Sequence, residues 1–290
     1  MRSIKNEKFV DLSRMCTIRI GGRAKNVYFP SSQDEIRWLL IESLEKDKRF
    51  FPLGIGSNTV FSDGVIDLFF VSTRYLKRFN IKQKGKNYYI EAESGVSFKT
   101  ITDIVKKLNL EGFEHLSGIP ATVGGATVMN AGAYGTEISD IIEEVYWFNK
   151  EGNLRILKRD QINFSYRKSP FQKEGFVYKV VLKLSSSKKD IKSIIKKHLE
   201  ERNKKQPLNY PTAGSTFKNP PKYPAGYLLE KVGLKGYKIG NVAFSEKHAN
   251  FLINLGGGKF KELKKLIEIA ERRVGEMYHI KLEKEIQIVE

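Results

Sequence analysis

Apolar positions along the chain fall into two groups, those that recur at the spacing of a helix and those in shorter segments. Recurrence at three and four residues predicts amphipathic helices after Ser32 and over residues 98–108, 188–205, 226–232 and 259–279. The first of these helices has a start signal, because Ser32 and Glu35 stand at the spacing of a capping box. The remaining apolar segments are shorter and do not follow this period.

Those shorter segments are rich in β-branched and aromatic residues, which favour strands. The predicted strands cover residues 50–53, 65–72, 88–93, 142–149, 154–157, 177–184, 250–254 and 285–289. A β-α-β unit opens the chain, and further strands and helices follow in mixed order, which predicts the α+β class. Residues 210–220 are predicted to form a polar loop.

The stretch SGIPATVGGATVMNAGAY, residues 117–134, is dominated by small residues and is uncharged up to Glu137. Such a run exposes backbone N–H groups and suits the close approach of a flat or phosphorylated ligand. A buried helix start with tight turns is the alternative. Two further turns favour a ligand, namely GIGSN at 54–58 and TAGST at 212–216. GIGSN has neither the Rossmann spacing nor the Walker lysine, so alone it is a weak signal.

The formal net charge of +18 raises the question of a nucleic-acid partner. The lysines are scattered over predicted helix faces, and the alternation of aromatic and basic residues typical of single-strand platforms is missing. We therefore expect no nucleic acid as partner, and favour a lysine-rich host or small anionic substrates as the reason for the charge.

The cysteine content and the apolar runs of the sequence bear on the compartment, on metal binding and on membrane insertion. Cys16 is the single cysteine, which fits a reducing cytoplasm, and no Cys/His cluster suggests a metal site. Apolar runs such as 65–71 are far below the roughly 20 residues that span a bilayer. The first ten residues lack the apolar core of a signal peptide. We expect a cytoplasmic monomer without membrane insertion.

Seven segments in order along residues 17–289 carry a family resemblance: TIRIGGRA, LGIGSN with Asp63, GIPATVGGATVMNAGAYG, FSYRKSPF, YPTAGSTFKNP, GYLLEKVGLKGYKIGNVAFSEKHANFLIN and LEKEIQIV. Together they resemble the UDP-N-acetylenolpyruvoylglucosamine reductases. No long insertion lies between Phe171 and Val177, which is similar to the shorter, second type of that family. Ala121 stands where the family usually has glycine, a difference of one methyl group.

The resemblance implies a fold of three parts. Two form an FAD-binding region of the vanillyl-alcohol-oxidase-like type, which does not use the Rossmann motif. The third is a C-terminal α+β domain that binds the UDP-sugar. The expected boundaries are 1–75, joined by a C-terminal strand at 281–290, then 76–187, and then 188–280 for the substrate domain.

The activity that the resemblance implies is reduction of the enolpyruvyl group of UDP-N-acetylglucosamine enolpyruvate to give UDP-N-acetylmuramate. NADPH, a co-substrate, delivers a hydride to N5 of non-covalent FAD, and the reduced flavin passes it to the methylene carbon. The neighbouring carbon must then be protonated. The product is a precursor of peptidoglycan.

Three residues match the family's catalytic positions. Ser215 matches the proton donor, Arg167 the arginine that holds the substrate carboxylate, and Glu285 the C-terminal glutamate proposed to polarise the carboxyl group or relay a proton. An ordinary turn serine, a surface arginine and an exposed strand residue are the alternatives. Glu283 lies on the same predicted strand face as Glu285 and is a possible misalignment.

The resemblance also assigns binding positions. Backbone N–H groups of the GIGSN turn are expected to hold the pyrophosphate, and the glycine-rich run to line the isoalloxazine and ribityl chain. The expected FAD residues are Gly54, Ile55, Gly56, Ser57, Asn58, Ser117, Gly118, Gly124, Gly125, Asn130, Gly132 and Ala133. The expected substrate contacts are Lys205, Lys218 and Asn219, for which a solvated lysine or a turn asparagine is the alternative.

Two other functions deserve comparison. A flavin oxidase of the same fold class would use dioxygen and often attach FAD through His or Cys, yet neither Cys16 nor a histidine lies inside the glycine-rich turns. A basic binding protein that has lost its chemistry is the other alternative. The joint presence of Arg167, Ser215 and Glu285 argues against it.

Overall fold

A computed structural model describes residues 4–290. Within this range the helices are α1 Gln33–Glu45, α2 Phe98–Leu108, α3 Val123–Met129, α4 Ile191–Lys205, α5 Ala225–Lys231 and α6 Phe260–Tyr278. The Ser32 side chain caps α1 by accepting from the Glu35 amide at 3.3 Å. The Glu35 carboxylate accepts from the Ser31 amide at 2.6 Å, one residue earlier than a capping box requires.

The strands are short, apart from β8, β12 and β14. Their bounds are β1 Asn6–Asp11, β2 Arg23–Tyr28, β3 Phe50–Leu53, β4 Thr59–Phe61, β5 Val65–Ile66, β6 Phe69–Ser72, β7 Phe79–Lys84, β8 Asn87–Glu93, β9 Leu110–Glu111, β10 Gly132–Ala133, β11 Thr136–Glu137, β12 Ile142–Phe148, β13 Leu154–Lys158, β14 Phe176–Ser186, β15 Thr212–Ser215, β16 Lys238–Ile239, β17 Val242–Phe244, β18 Phe251–Asn254 and β19 Gln287–Val289.

Two sequence predictions about these strands were wrong. The predicted strand at 65–72 is broken at Asp67, because β5 pairs with residues 23–24 of β2 and β6 pairs with residues 27–28. The predicted loop at 210–220 contains β15, whose pairing with β18 is a contact that periodicity does not register. The other predicted helices and strands are present with small shifts of their ends.

The chain divides into two compact units. Among the described residues, the first comprises 4–7, 26–54 and 68–201, and the second comprises 8–25, 55–67 and 202–290. This division follows contacts within the fold, and the three functional domains expected from the sequence stay a prediction.

The first unit is built on a six-stranded antiparallel sheet of order β13-β12-β14-β8-β7, with β9 beside β14. Helix α2 buries Phe98, Ile101 and Val105 in the same apolar cluster as Ile90 and Val180 of the sheet. A second cluster joins α1 to the parallel pair β3 and β6. Both clusters follow from the apolar stripes of the two helices.

The second unit contains an antiparallel sheet of order β15-β18-β17-β16, and α6 packs on β16 and β17. The start of α6 lacks a side-chain cap of its own, and the Asp63 carboxylate accepts there from the amides of Phe260 and Lys261 at 3.3 and 3.4 Å. Strand β19 pairs in parallel with β4 in the same unit. Among the helices of residues 4–290, none has the length and apolar character needed to cross a membrane.

Candidate active site

In the first unit the glycine-rich run folds into a turn followed by α3. Thr122 caps this helix by accepting from the Gly125 amide at 3.3 Å. A Cβ at Gly54 would lie 2.7 Å from the Thr122 hydroxyl, and a Cβ at Gly124 would lie 2.5 Å from Cβ of Ser94. Gly54 and Gly124 are therefore required by the packing of the chain on itself, and at Gly124 this agrees with the alternative of a buried helix start.

Other glycines of the run present backbone outward. Gly118 has φ +83° and is exposed, and Gly125 is exposed with only the Thr122 hydroxyl near an added Cβ. The Ser117 side chain is buried and donates to the Phe113 carbonyl at 3.4 Å. A surface of backbone without side chains fits a flat ring system, so this part of the run meets the requirement of a flavin seat.

Asn130 ends α3 in a left-handed conformation, φ +45°, and organises the chain around the end of the run. Its amide group donates to the Glu137 carboxylate at 2.6 Å and to the Ser165 carbonyl at 3.0 Å. The side chain of Asn130 is fully buried, so these bonds are shielded from water. The predicted residue Asn130 is thus joined to the segment that carries Arg167.

Arg167 lies in a tight turn in which Ser165 and Lys168 form an antiparallel bridge. Its guanidinium donates to the Gly132 carbonyl at 2.8 Å and lies 3.8 Å from the Glu137 carboxylate. The backbone of Arg167 has φ +55°, a conformation that costs energy for a residue with a side chain. The turn brings three predicted site residues together, Asn130, Gly132 and Arg167. It also recruits Glu137, which the sequence reading missed.

In the second unit residues 55–58 of the GIGSN turn are held against the segment that carries Glu285, just before β19. Gly56 has φ +65°, and a Cβ there would lie 2.3 Å from the Met15 carbonyl, so only glycine fits. The Asn58 side chain donates to the Glu285 carbonyl at 3.0 Å, and the Gln287 amide donates to the Asn58 carbonyl at 2.8 Å. A predicted FAD residue and a predicted catalytic residue are therefore adjacent.

Ser215 follows a bulge in β15. Thr212 pairs with Ile253 and Ser215 with Phe251, so three steps along β15 match two along β18. Gly214 supplies the extra residue at φ +81°, with no atom nearer to an added Cβ than the Ser57 carbonyl oxygen at 3.9 Å. Bulges re-aim the side chain that follows them and are frequent beside active sites. Ser215 itself is half-buried.

The structure separates the two candidate glutamates. The Glu283 side chain is 73% exposed and its carboxylate is 2.9 Å from Nζ of Lys218. Glu285 is half-buried, and its amide donates to the Thr216 carbonyl at 2.9 Å, next to Ser215. The segment of Glu285 therefore lies beside the segment of Ser215.

The predicted substrate residues have different surroundings. Lys218 is paired with Glu283, and the side-chain oxygen of Asn219 accepts from the Ala225 amide at 3.0 Å at the start of α5. Lys205 is exposed at the end of α4. Over the part of the chain that the structure describes, no group of three or more His, Cys, Asp or Glu side chains forms a metal site.

Comparison with known proteins matches two parts of the chain to known protein domains. Residues 24–158 match an FAD binding domain, and residues 206–289 match the C-terminal domain of UDP-N-acetylenolpyruvoylglucosamine reductase. A reductase of that name from Aquifex aeolicus is 48% identical over 98% of this chain and 95% of its own length. One from Caldanaerobacter subterraneus is 40% identical over 96% of this chain and 91% of its own.

A solved structure gives the same result. The reductase from Thermus caldophilus covers 99% of both chains with a TM-score of 0.83 at 29% identity. The FAD-binding domain and the named relatives define the chain as a flavin-dependent oxidoreductase. The chain belongs to the UDP-N-acetylenolpyruvoylglucosamine reductase family. The family, the α+β fold class with its FAD-binding region and C-terminal domain, and the flavoenzyme class predicted from the sequence are confirmed.

Proposed function

We propose that the chain catalyses NADPH-dependent, FAD-mediated reduction of UDP-N-acetylglucosamine enolpyruvate to UDP-N-acetylmuramate in peptidoglycan precursor synthesis. FAD, when bound, would supply the hydride chemistry that links NADPH to the enolpyruvyl methylene carbon. The observation that carries the proposal is the bulge at Gly214, which sets Ser215 beside the Glu285 segment in a protein of this family.

Ser215 is the proposed proton donor. A serine hydroxyl is a weak acid, so it transfers a proton only to a strongly basic centre. The carbon next to the substrate carboxylate becomes such a centre once hydride has been added to its neighbour. The half-buried position of Ser215 limits competition from bulk water for that proton.

Arg167 is proposed to bind the substrate carboxylate and stabilise negative charge on it. The guanidinium donates to the Gly132 carbonyl at 2.8 Å, which fixes its position, and lies 3.8 Å from the Glu137 carboxylate. A guanidinium can bind both oxygens of a substrate carboxylate through charge-assisted hydrogen bonds. The turn with φ +55° holds the arginine in place before substrate arrives.

Glu285 is proposed to polarise the substrate carboxyl group or to relay a proton. Its backbone is fixed on both sides, because its amide binds the Thr216 carbonyl and its carbonyl binds the Asn58 side chain. These bonds restrict where the carboxylate can reach. The side chain of Glu283 is 73% exposed whereas Glu285 is half-buried, which supports the choice of Glu285.

Other parts of the proposal concern binding and organisation. FAD is proposed to contact residues 54–58 and the residues predicted in the glycine-rich run, and Lys205, Lys218 and Asn219 to contact the substrate. Pairing of β19 with β4 supports the proposal that 281–290 joins the domain of residues 1–75, followed by domains 76–187 and 188–280. The proposed protein is a cytoplasmic monomer that binds no nucleic acid.

The test follows two half-reactions separately, namely reduction of the flavin by NADPH and its reoxidation by the UDP-sugar. The purified protein should be yellow, should bleach with NADPH, and should regain colour with UDP-N-acetylglucosamine enolpyruvate. Ser215→Ala should leave bleaching near normal and slow recolouring by about 10²-fold or more, the usual range for loss of an acid catalyst. Ser193→Ala, which removes a hydroxyl from the exposed start of α4, is the matched control.

Three outcomes would contradict the proposal or a part of it. A protein that takes up no FAD, or one whose reduced flavin is not reoxidised by the sugar substrate, refutes the reaction. Equal slowing of both half-reactions in Ser215→Ala refutes the proton-donor role alone, because a donor to the substrate has no part in the NADPH step.

A further inference from the structure

We infer that Asn250 is a positioning residue for Ser215, an inference that rests on the proposed function of that serine. The backbone ladder between β15 and β18 ends at the pair Ser215 and Phe251. Beyond this pair, the side chain of Asn250 makes hydrogen bonds of the kind that a strand backbone would otherwise make. Asn250 is 3% exposed, so its hydrogen bonds are shielded from bulk water.

Three hydrogen bonds join Asn250 to the two residues that follow Ser215. The Thr216 amide donates to the Asn250 backbone carbonyl at 2.7 Å. The Phe217 amide donates to the Asn250 side-chain oxygen at 3.0 Å, and the Asn250 side-chain nitrogen donates to the Phe217 carbonyl at 2.8 Å. A primary amide has one acceptor and donors in the geometry of a peptide group, so it clamps both sides of Phe217 at once.

The opposite edge of the same segment is held by residues 283–285, where Lys284 forms an isolated bridge with Phe217. The Glu285 amide binds the Thr216 carbonyl at 2.9 Å, and the Lys218 amide binds the Glu283 carbonyl at 2.8 Å. The segment 216–218 therefore lies between two sets of hydrogen bonds, one to Asn250 and one to residues 283–285. Loss of the Asn250 side chain removes the two bonds to Phe217 and leaves the Thr216 amide bond as the remaining support on this edge, so the segment that follows Ser215 is held less firmly.

Asn250 is itself oriented by His248. The backbone N–H of Asn250 donates to Nδ1 of His248 at 3.2 Å, an arrangement that requires this nitrogen to be unprotonated. The His248 ring packs on Phe251, with centroids 4.9 Å apart, and an added Cβ at Gly226 would lie 2.9 Å from it. The backbone from which the Asn250 side chain extends is thus itself held in place, which is what a positioning residue needs.

The experiment uses Asn250→Ala and Asn250→Asp on the FAD-loaded protein. Alanine removes both side-chain bonds, and aspartate keeps the acceptor for the Phe217 amide while facing the Phe217 carbonyl with an oxygen. We expect both variants to slow recolouring by the UDP-sugar by about 10- to 100-fold, since small misplacements of a reacting group have effects of this size. Reduction by NADPH should stay within about twofold of the parent.

Two further readouts exclude a merely structural role. In D₂O the solvent isotope effect on recolouring should become larger in Asn250→Ala, because a misplaced hydroxyl makes proton transfer more rate-limiting. Amide hydrogen exchange should accelerate in peptides that cover residues 214–218. Asn254→Ala is the control, because Asn254 is equally buried and clamps the backbone of Ile18 and Arg19 instead.

The outcomes separate this inference from the proposed function. Recolouring at the parent rate with an unchanged isotope effect, or equal slowing of both half-reactions, overturns the role of Asn250. If Ser215→Ala slows recolouring while the Asn250 variants do not, only the positioning role fails. If Ser215→Ala also recolours normally, the proton-donor assignment fails first.

Discussion

Gly214→Ala is a direct test of the idea that the bulge in β15 aims Ser215. Gly214 has φ +81°, and the nearest atom to an added Cβ is 3.9 Å away, so alanine meets no steric clash. The substitution acts through the backbone alone. An L-residue in the left-handed region costs about 1–2 kcal/mol.

The chain can lower this cost by giving up the bulge. A strand that loses its bulge shifts register by one residue, and the side chains beyond the shift change faces. Ser215 would then point away from the position that it holds now. Partial relaxation of this kind should slow recolouring by about 10²-fold, while the NADPH step stays near the parent rate.

Gly233→Ala provides the matched control. Gly233 lies just past α5, has φ +71°, and has no atom within 4 Å of an added Cβ. Both variants should lose about 1 kcal/mol of unfolding free energy, a fall of roughly 2–4 °C in the unfolding midpoint. The two half-reactions are followed by rapid mixing at the flavin absorbance. Identical recolouring rates in Gly214→Ala and Gly233→Ala would refute the role of the bulge.

Three further predictions follow from contacts described above. Gly124→Ala should lower the unfolding midpoint more than Gly125→Ala, because its Cβ would lie 2.5 Å from Ser94, and thermal melts of the apoprotein measure this. Arg167→Lys should raise KM for the UDP-sugar about 10- to 100-fold with unchanged bleaching by NADPH, because lysine lacks the two-armed contact. Burial lowers the pKa of His248 from its usual 6.5, so the unfolded chain gains a proton there more readily as pH falls. The free energy of unfolding should therefore decline below about pH 6.5. Urea titrations between pH 7.5 and 5.5 measure this decline, and His248→Gln should make it less steep. An equally steep decline in the variant would contradict the role of His248.

The amphipathic helices and the long strands β8, β12 and β14 could be predicted from the sequence because their signals are local. The stripe of Ile36, Leu39 and Leu40 faces one cluster, and the capping position at Ser32 is correct. The break at Asp67 could not be predicted. It depends on which residues of β2 each half of the strand meets, and that pairing is a long-range fact.

The candidate site shows the same limit. The run 117–134 was identified from composition, yet composition cannot tell a glycine that packs on Ser94 from one that faces outward. Glu137 and Asn250 gave no signal, because their roles come from side chains meeting distant backbone. Glu137 could have been found by looking for a carboxylate close in sequence to Asn130. Asn250 could not have been found in that way.

The second unit is completed later along the chain than the first. Its strand β4 pairs with β19, more than 200 positions later, whereas residues 68–201 of the first unit are continuous. Because synthesis proceeds from the N-terminus and distant contacts close slowly, we expect a nascent chain to complete its Arg167 turn well before Ser215 and Glu285 meet. During that interval residues 8–25 and 55–67 can pair with each other, as β2 does with β5, but β4 still lacks β19. Strand β4 is therefore an open strand edge until the last residues of the chain have been made.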